Sequence, residues 1–172
     1  MRLFLLAVAV ATPLSAQSLD PRYSEIGTFD GKAGGTDLNL MSLFDQEKDR
    51  SMVKLRDGSG FTTISVSARS IASDGTPTSP SVSFTIGPLG AGAAGARSDI
   101  FFSDETGQYV ADNDIGERVT LSDFNKTETT VSFGVTAELT PVKRGDRGFV
   151  VDEARTSLQF LGEFSGTFTD VD

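Results

Sequence analysis

The chain has 172 residues and contains no cysteine, no histidine and no tryptophan. The absence of histidine excludes Ser-His-Asp hydrolysis and imidazole metal ligation, and the absence of cysteine excludes thiolate nucleophiles, iron–sulfur clusters and thiolate zinc sites. No P-loop or dinucleotide fingerprint is present, because Gly90, Gly92 and Gly95 do not have the required spacing. We therefore expect a protein without enzymatic activity. A hydrolase that uses two carboxylates remains the alternative, although no tryptophan is available as a sugar platform.

Positive charge is scarce, with 15 Lys and Arg against 24 Asp and Glu. A surface with this excess of negative charge repels phosphate groups, so we expect no nucleic-acid partner. It is compatible with solubility, with cations or with a basic partner protein.

Long apolar runs are also missing, apart from Leu3–Ala11, which follows Arg2 and precedes the small-residue stretch Thr12–Ala16. This order is typical of a secretory signal peptide, and the run is shorter than the roughly 20 residues that a membrane-spanning helix needs. We predict a signal peptide at residues 1–16 and export to the periplasm or the extracellular space.

The predicted mature chain consists of an N-terminal tether at residues 17–23 and a single domain at residues 24–172. Without Arg2 it carries 14 basic and 24 acidic residues, a net charge of −10. No cysteine follows the signal and no second long apolar run exists, so we expect neither a lipid anchor nor a membrane span. Because disulfides are also impossible, apolar burial alone must stabilise the domain.

Apolar and polar residues alternate with a period of two in several segments, which is typical of half-buried strands. The pattern is strongest at Val131–Leu139 and is repeated at 61–69, 81–86 and 158–168. Weaker strands are predicted at 25–29, 36–43, 52–56, 99–102, 108–111 and 118–122. Turns are predicted at Asp30-Gly31, Asp57-Gly58, Asp74-Gly75 and Thr106-Gly107, and longer loops at 73–80, 87–97 and 141–148.

The fold class that follows is all-β. About ten short strands with alternating faces, and no helical periodicity, favour an antiparallel β-sandwich, with a closed β-barrel as the alternative. We prefer the sandwich because the strand lengths vary widely. The apolar faces place five phenylalanines in the core: Phe84, Phe133, Phe160, Phe164 and Phe168. Phe101 and Phe102 are adjacent and must point to opposite sides of their strand, so one of them meets a second layer or is exposed.

The C-terminal third contains three linked segments: Val119–Asn125, then the alternating strand Val131–Ala137, and finally Gly162–Phe168 with its Gly-x-Phe pattern. This arrangement resembles small exported bacterial β-sandwich proteins of unknown function. The resemblance implies a β-sandwich and assigns no functional residue. Many of those proteins are lipid-anchored, and this chain differs from them by lacking the cysteine.

Acidic residues are densest between positions 99 and 117, where calcium ligands are the candidate chemistry. Calcium prefers six to eight oxygen ligands, which carboxylates and turns between strands can supply. The spacing does not match an EF-hand, and solvated turns are the alternative. The candidate calcium ligands are Asp99, Asp104, Asp112, Asp114 and Glu117.

Taken together, the residues predict a non-catalytic exported protein with a binding or structural role. The alternatives are an acidic binder or inhibitor of a basic protein, and a calcium-dependent module that binds a glycan.

Overall fold

The structure of the protein is a computed structural model that describes residues 18–58, 61–89, 97–112, 115, 119–146 and 148–169. These residues form twelve strands. No helix occurs among these residues, and so none that could cross a membrane. The predicted signal peptide lies outside them. The strands are β1 (Tyr23–Ala33), β2 (Thr36–Asp45), β3 (Arg50–Ser51), β4 (Val53–Gly58), β5 (Phe61–Ile71), β6 (Pro77–Leu89), β7 (Ser98–Asp104), β8 (Gly107–Ala111), β9 (Thr120–Lys126), β10 (Thr130–Gly145), β11 (Gly148–Val151) and β12 (Leu158–Thr167).

The prediction of an all-β, antiparallel fold is confirmed. The four strongly alternating segments lie in β5, β6, β10 and β12, and the six weaker ones overlap β1, β2, β4, β7, β8 and β9. The short strands β3 and β11 were not predicted, because two and four residues are too few to show a period.

Several predicted connections are partly or wholly strand. Residues 141–145 and 148 of one predicted loop belong to the hairpin of β10 and β11, and Asp30-Gly31 lies inside β1 instead of in a turn. Residues 77–80 and 87–89 of the other two predicted loops belong to β6, and residues 90–96 lie outside the described residues. Pro141 is tolerated because it lies where one edge of β10 changes partner from β12 to β11, so its missing N–H interrupts no continuous ladder.

The strands form one sheet with the order β3-β2-β1-β12-β10-β8-β7-β6-β5-β4. β9 and β11 each pair with β10. β2 also pairs with β5 through Met41 and Arg69, so the strand path returns on itself. At this junction the Ser42 hydroxyl donates a hydrogen bond of 2.6 Å to the carbonyl of Ser67. The sheet thus encloses one core, an arrangement common to the two architectures considered for the sequence.

Phenylalanine rings fill the interior of the sheet. The ring centroid of Phe84 lies 5.3 Å from that of Phe133 and 5.6 Å from that of Phe29, and Phe29 stacks on Phe160 at 5.3 Å. The five phenylalanines predicted for the core are all buried. Because these rings contact one another across the enclosed space, burial of aromatic surface replaces the disulfides that the chain cannot form.

The rings fit because glycines alternate with them on the inner faces of β1 and β12. Gly31 pairs with Gly162, and Gly27 pairs with Gly166. A Cβ atom on Gly162 would meet the tip of the Phe29 ring inside contact distance and would lie 2.6 Å from the carbonyl oxygen of Asp30. The Gly-x-Phe pattern therefore provides space for rings that lie across the neighbouring strand.

Phe101 and Phe102 point to opposite sides of β7, as predicted. Phe102 is buried in the core, whereas Phe101 lies on the outer face and its ring contacts that of Phe149 on β11 at 5.5 Å. The second layer over Phe101 is thus the unpredicted hairpin.

The described part of the predicted tether is residues 18–23, of which Tyr23 begins β1 and residues 18–22 lie against the turn at Gly75. The Asp20 N–H donates to the carbonyl of Gly75 at 3.1 Å. Gly75 has a φ of +83°, and a Cβ atom there would meet the backbone of Ser18 at 2.6 Å. Glycine is therefore favoured at this position both by the backbone conformation of the turn and by the close approach of residues 18–20.

Candidate functional site

Polar side chains from four strands, and a glycine from a fifth, line up across the outer face of the sheet. The register opposes Asp30 to Asn39 on β2 and to Glu163 on β12. Glu163 in turn pairs with Gly134 on β10, and Gly134 pairs with Ser122 on β9. Directly opposed residues on one face have Cβ atoms about 5 Å apart, so these five positions form one continuous row.

A groove follows this row. Its volume is about 720 Å³, and Asp30, Gly134 and Glu163 also line an adjoining depression of about 430 Å³ that extends towards Asp123. Gly134 forms the low floor because it has no side chain, and the Ser122 hydroxyl lies inside contact distance of the position that a Cβ atom on Gly134 would take.

A bulge in β9 shapes one wall of the groove. Between the pairs Asn125–Ser132 and Ser122–Gly134, β9 contains two residues and β10 only one, so β9 has one extra residue. Asp123 lies in this bulge with a φ of +49°, a conformation that Asp tolerates better than most residues. The bulge leaves Asp123 at the rim of the groove while Phe124 packs against the core.

Negative charge predominates in the groove and its adjoining depression, which together contain Asp30, Asp37, Asp123 and Glu163 against Lys32. The Lys32 ammonium is already bound to Asp37 at 2.9 Å. Asp30 accepts a hydrogen bond of 2.6 Å from the amide of Asn39, a neutral donor. Three carboxylates therefore have no ion-pair partner among the described residues, and Asp30 and Glu163 are direct cross-strand neighbours.

Opposed like charges on a sheet are destabilising unless a counter-charge is present. The row could bind a cation or a basic side chain between Asp30 and Glu163, with Ser122 and the Asn39 amide as further hydrogen-bonding groups.

The residues predicted to bind calcium lie elsewhere. Asp99 on β7 and Asp112 after β8 lie at the same end of that hairpin, because Ile100 pairs with Ala111. Asp104 lies at the other end, five residues or about 16 Å away along β7. Its carboxylate accepts hydrogen bonds from the N–H and the hydroxyl of Thr106, as in a simple turn.

The other two candidate ligands, Asp114 and Glu117, lie outside the described residues. Among the residues that are described, no group of three or more carboxylates is arranged to hold a metal ion. The calcium site therefore remains a prediction, with Asp104 separated from Asp99 and Asp112.

Sequence reasoning missed the groove. The dipeptide Asp30-Gly31 is typical of a turn, and no local pattern connects Asp30 with Glu163, because the two residues stand near opposite ends of the chain. The usable signal was the pair of glycines that follow and precede these acids, Gly31 and Gly162, whose opposition fixes the register of β1 and β12.

Comparison of the chain with protein-family models, with curated proteins and with solved structures gave no match.

Proposed function

We propose that the protein is a non-catalytic exported binding protein whose acidic groove binds a basic partner protein. The observation that supports this most directly is that Asp30 and Glu163 are cross-strand neighbours in the groove and lack a positive partner there. The one lysine of the groove, Lys32, is already paired with Asp37. A basic side chain inserted there would relieve the repulsion between the two acids and gain charge-assisted hydrogen bonds.

The interior of the fold supports an external binding site. Proteins that carry a small ligand inside a β-structure need a cavity, whereas here the rings of Phe29, Phe84 and Phe160 lie within 6.2 Å of one another, centroid to centroid. The absence of histidine and cysteine from the sequence supports the non-catalytic part of the proposal. The excess of acidic residues favours a basic partner and would accelerate its association at low salt.

The test is the affinity for a basic probe protein, lysozyme, measured by calorimetry at about 20 and 200 mM salt. We expect binding that weakens with salt, and an affinity at low salt that falls at least about tenfold in the double variant Asp30→Asn/Glu163→Gln. The control is Glu128→Gln/Glu153→Gln, which makes the same change in net charge at two exposed positions outside the groove.

The control separates a site from a general charge effect. Equal losses in the two double variants would show that lysozyme senses only net charge and would refute the groove as the site. Absence of binding at low salt would refute the proposal as a whole.

A further inference from the structure

Three consecutive apolar residues are exposed on β11. Phe149, Val150 and Val151 have exposed fractions of 44%, 46% and 46%. The other large apolar side chains exposed among the described residues, Phe61 and Leu161, stand singly. Single exposed apolar residues are ordinary on protein surfaces, whereas a contiguous group marks an interaction surface.

β11 is also an edge strand. It pairs with β10 from Val142–Val151 to Gly145–Gly148, and no described strand pairs with its other side. The edge strand β9, by contrast, exposes Asp123 and Lys126, which discourage the addition of another strand. β11 has no charged residue and no proline along its length, so its edge is open to pairing.

The charge around β11 differs from that of the rest of the chain. Residues 142–155 contain four basic and three acidic residues, whereas the remaining positions contain 11 basic and 21 acidic ones. Two copies of the protein therefore repel each other over most of their surfaces but not at this hairpin. Lys143 is bound to Asp152 within the hairpin at 3.4 Å, which further reduces its effective charge.

Both faces of β11 can contribute to such a contact. Phe149 and Val151 lie on one face, where Phe149 is supported by Phe101, and Val150 lies on the opposite face beside Gly145. An antiparallel pair of identical strands has two-fold symmetry, so each apolar face would meet the same face of its copy.

We propose that the protein self-associates through antiparallel pairing of β11 with β11 of a second copy. The pairing continues the sheet from β10 of one subunit through both copies of β11 to β10 of the other. Four residues from each subunit form a small contact, well below the interface area of permanent dimers, so the dimer is reversible and forms only at high concentration.

The test is sedimentation velocity of the wild-type chain from about 5 to 500 µM, where we expect a concentration-dependent shift from monomer to dimer. Val150→Lys places a like charge opposite its own copy and removes an apolar contact, which raises the dissociation constant about tenfold or more. Leu161→Lys is the matched control, because Leu161 is equally exposed but lies on β12, which is paired on both sides. This control should leave dimerisation unchanged.

The absence of cysteine allows a direct check of the contact. Single variants Phe149→Cys and Val150→Cys, each oxidised on its own, should give covalent dimers in at least one case, whereas Leu161→Cys should not. Val151→Lys replaces Val150→Lys if the latter unfolds, as judged by its thermal transition.

Three results would overturn the proposal. They are a monomer at every concentration, a dimer equally weakened by Leu161→Lys, and a monomer that instead adds an extended peptide of another sequence at β11.

Discussion

Replacement of Gly162 by alanine tests the packing that organises the whole sheet. Gly162 lies on the inner face of β12 opposite Gly31, where the ring of Phe29 extends across it. The added methyl group would meet the tip of that ring inside contact distance. It would also lie 2.6 Å from the carbonyl oxygen of Asp30 and 2.9 Å from Cα of Gly31. Two of the three obstacles are backbone atoms, so a side-chain rotation alone cannot remove the strain.

The magnitude follows from two opposing effects. Overpacking of a filled core typically costs about 1–3 kcal/mol, and backbone obstacles place this site at the upper end of that range. Alanine also restricts the unfolded chain, which stabilises by up to ~1 kcal/mol. The net loss is therefore about 2 kcal/mol in the free energy of unfolding, which lowers Tm by roughly 4–8 °C for a domain of this size.

Urea denaturation followed by circular dichroism measures this loss, and two further variants locate its cause. In Phe29→Leu/Gly162→Ala the shortened side chain removes one obstacle, so the two changes should cost less together than the sum of the single changes. Gly134→Ala is the matched control, since its methyl group would meet only the rotatable hydroxyl of Ser122 and should be nearly neutral. If Gly162→Ala were as stable as the wild type, the ring would not lie over this glycine and the explanation of the Gly-x-Phe pattern would fail.

Three further predictions concern other parts of the molecule. Phe160→Asp buries a charge in a domain whose free energy of unfolding is about 5–15 kcal/mol, so it should abolish the cooperative unfolding transition. Phe61→Asp, at a mostly exposed position, should retain that transition. The hydroxyl of Thr76 donates to Asp74 at 2.6 Å and holds the pKa of Asp74 below its ordinary value. The stabilisation from this bond is thus complete above the pKa that Asp74 has in the unfolded chain, and it is lost as the pH falls through the lower pKa of the folded protein. In acid titrations followed by circular dichroism, Asp74→Asn should therefore lose less stability below about pH 4 than the wild type does. If calcium binds at the end of the β7–β8 hairpin where Asp99 and Asp112 lie, millimolar calcium should raise Tm in the wild type and in Asp104→Asn but not in Asp112→Asn; equal responses in all three chains would place calcium elsewhere.

Strand positions and faces could be predicted because they depend on neighbouring residues. Alternation alone indicated that Val131, Phe133 and Leu139 point inward, and all three are buried. The same reasoning was wrong at Asp30-Gly31, where a dipeptide common in turns lies inside β1. Glycine is needed at position 31 because the backbone of β12 approaches closely: a Cβ atom on Gly31 would meet the carbonyl of Leu161 and lie 2.8 Å from Cα of Gly162.

The groove and the hairpin could not be predicted, because both depend on register between distant segments. Asp30, Glu163 and Ser122 become neighbours only when β1, β12, β10 and β9 are aligned, and a shift of one residue would turn Glu163 towards the core. The loop predicted at 141–148 contains Pro141 and two glycines, which normally indicate a turn. The pairing of Val142 with Val151 overrides that local signal.

β10 connects the two proposed surfaces and keeps them apart. Residues near Gly134 form the floor of the groove, and residues from Val142 to Gly145 support β11. The ten residues from Gly134 to Arg144 span up to about 33 Å in an extended strand. Pairing through β11 would therefore leave both grooves open, and a dimer would present two acidic grooves on one continuous sheet. A basic partner with two binding sites would gain avidity from the dimer, whereas lysozyme should bind with a stoichiometry of one per chain both in the wild type and in the monomeric Val150→Lys variant.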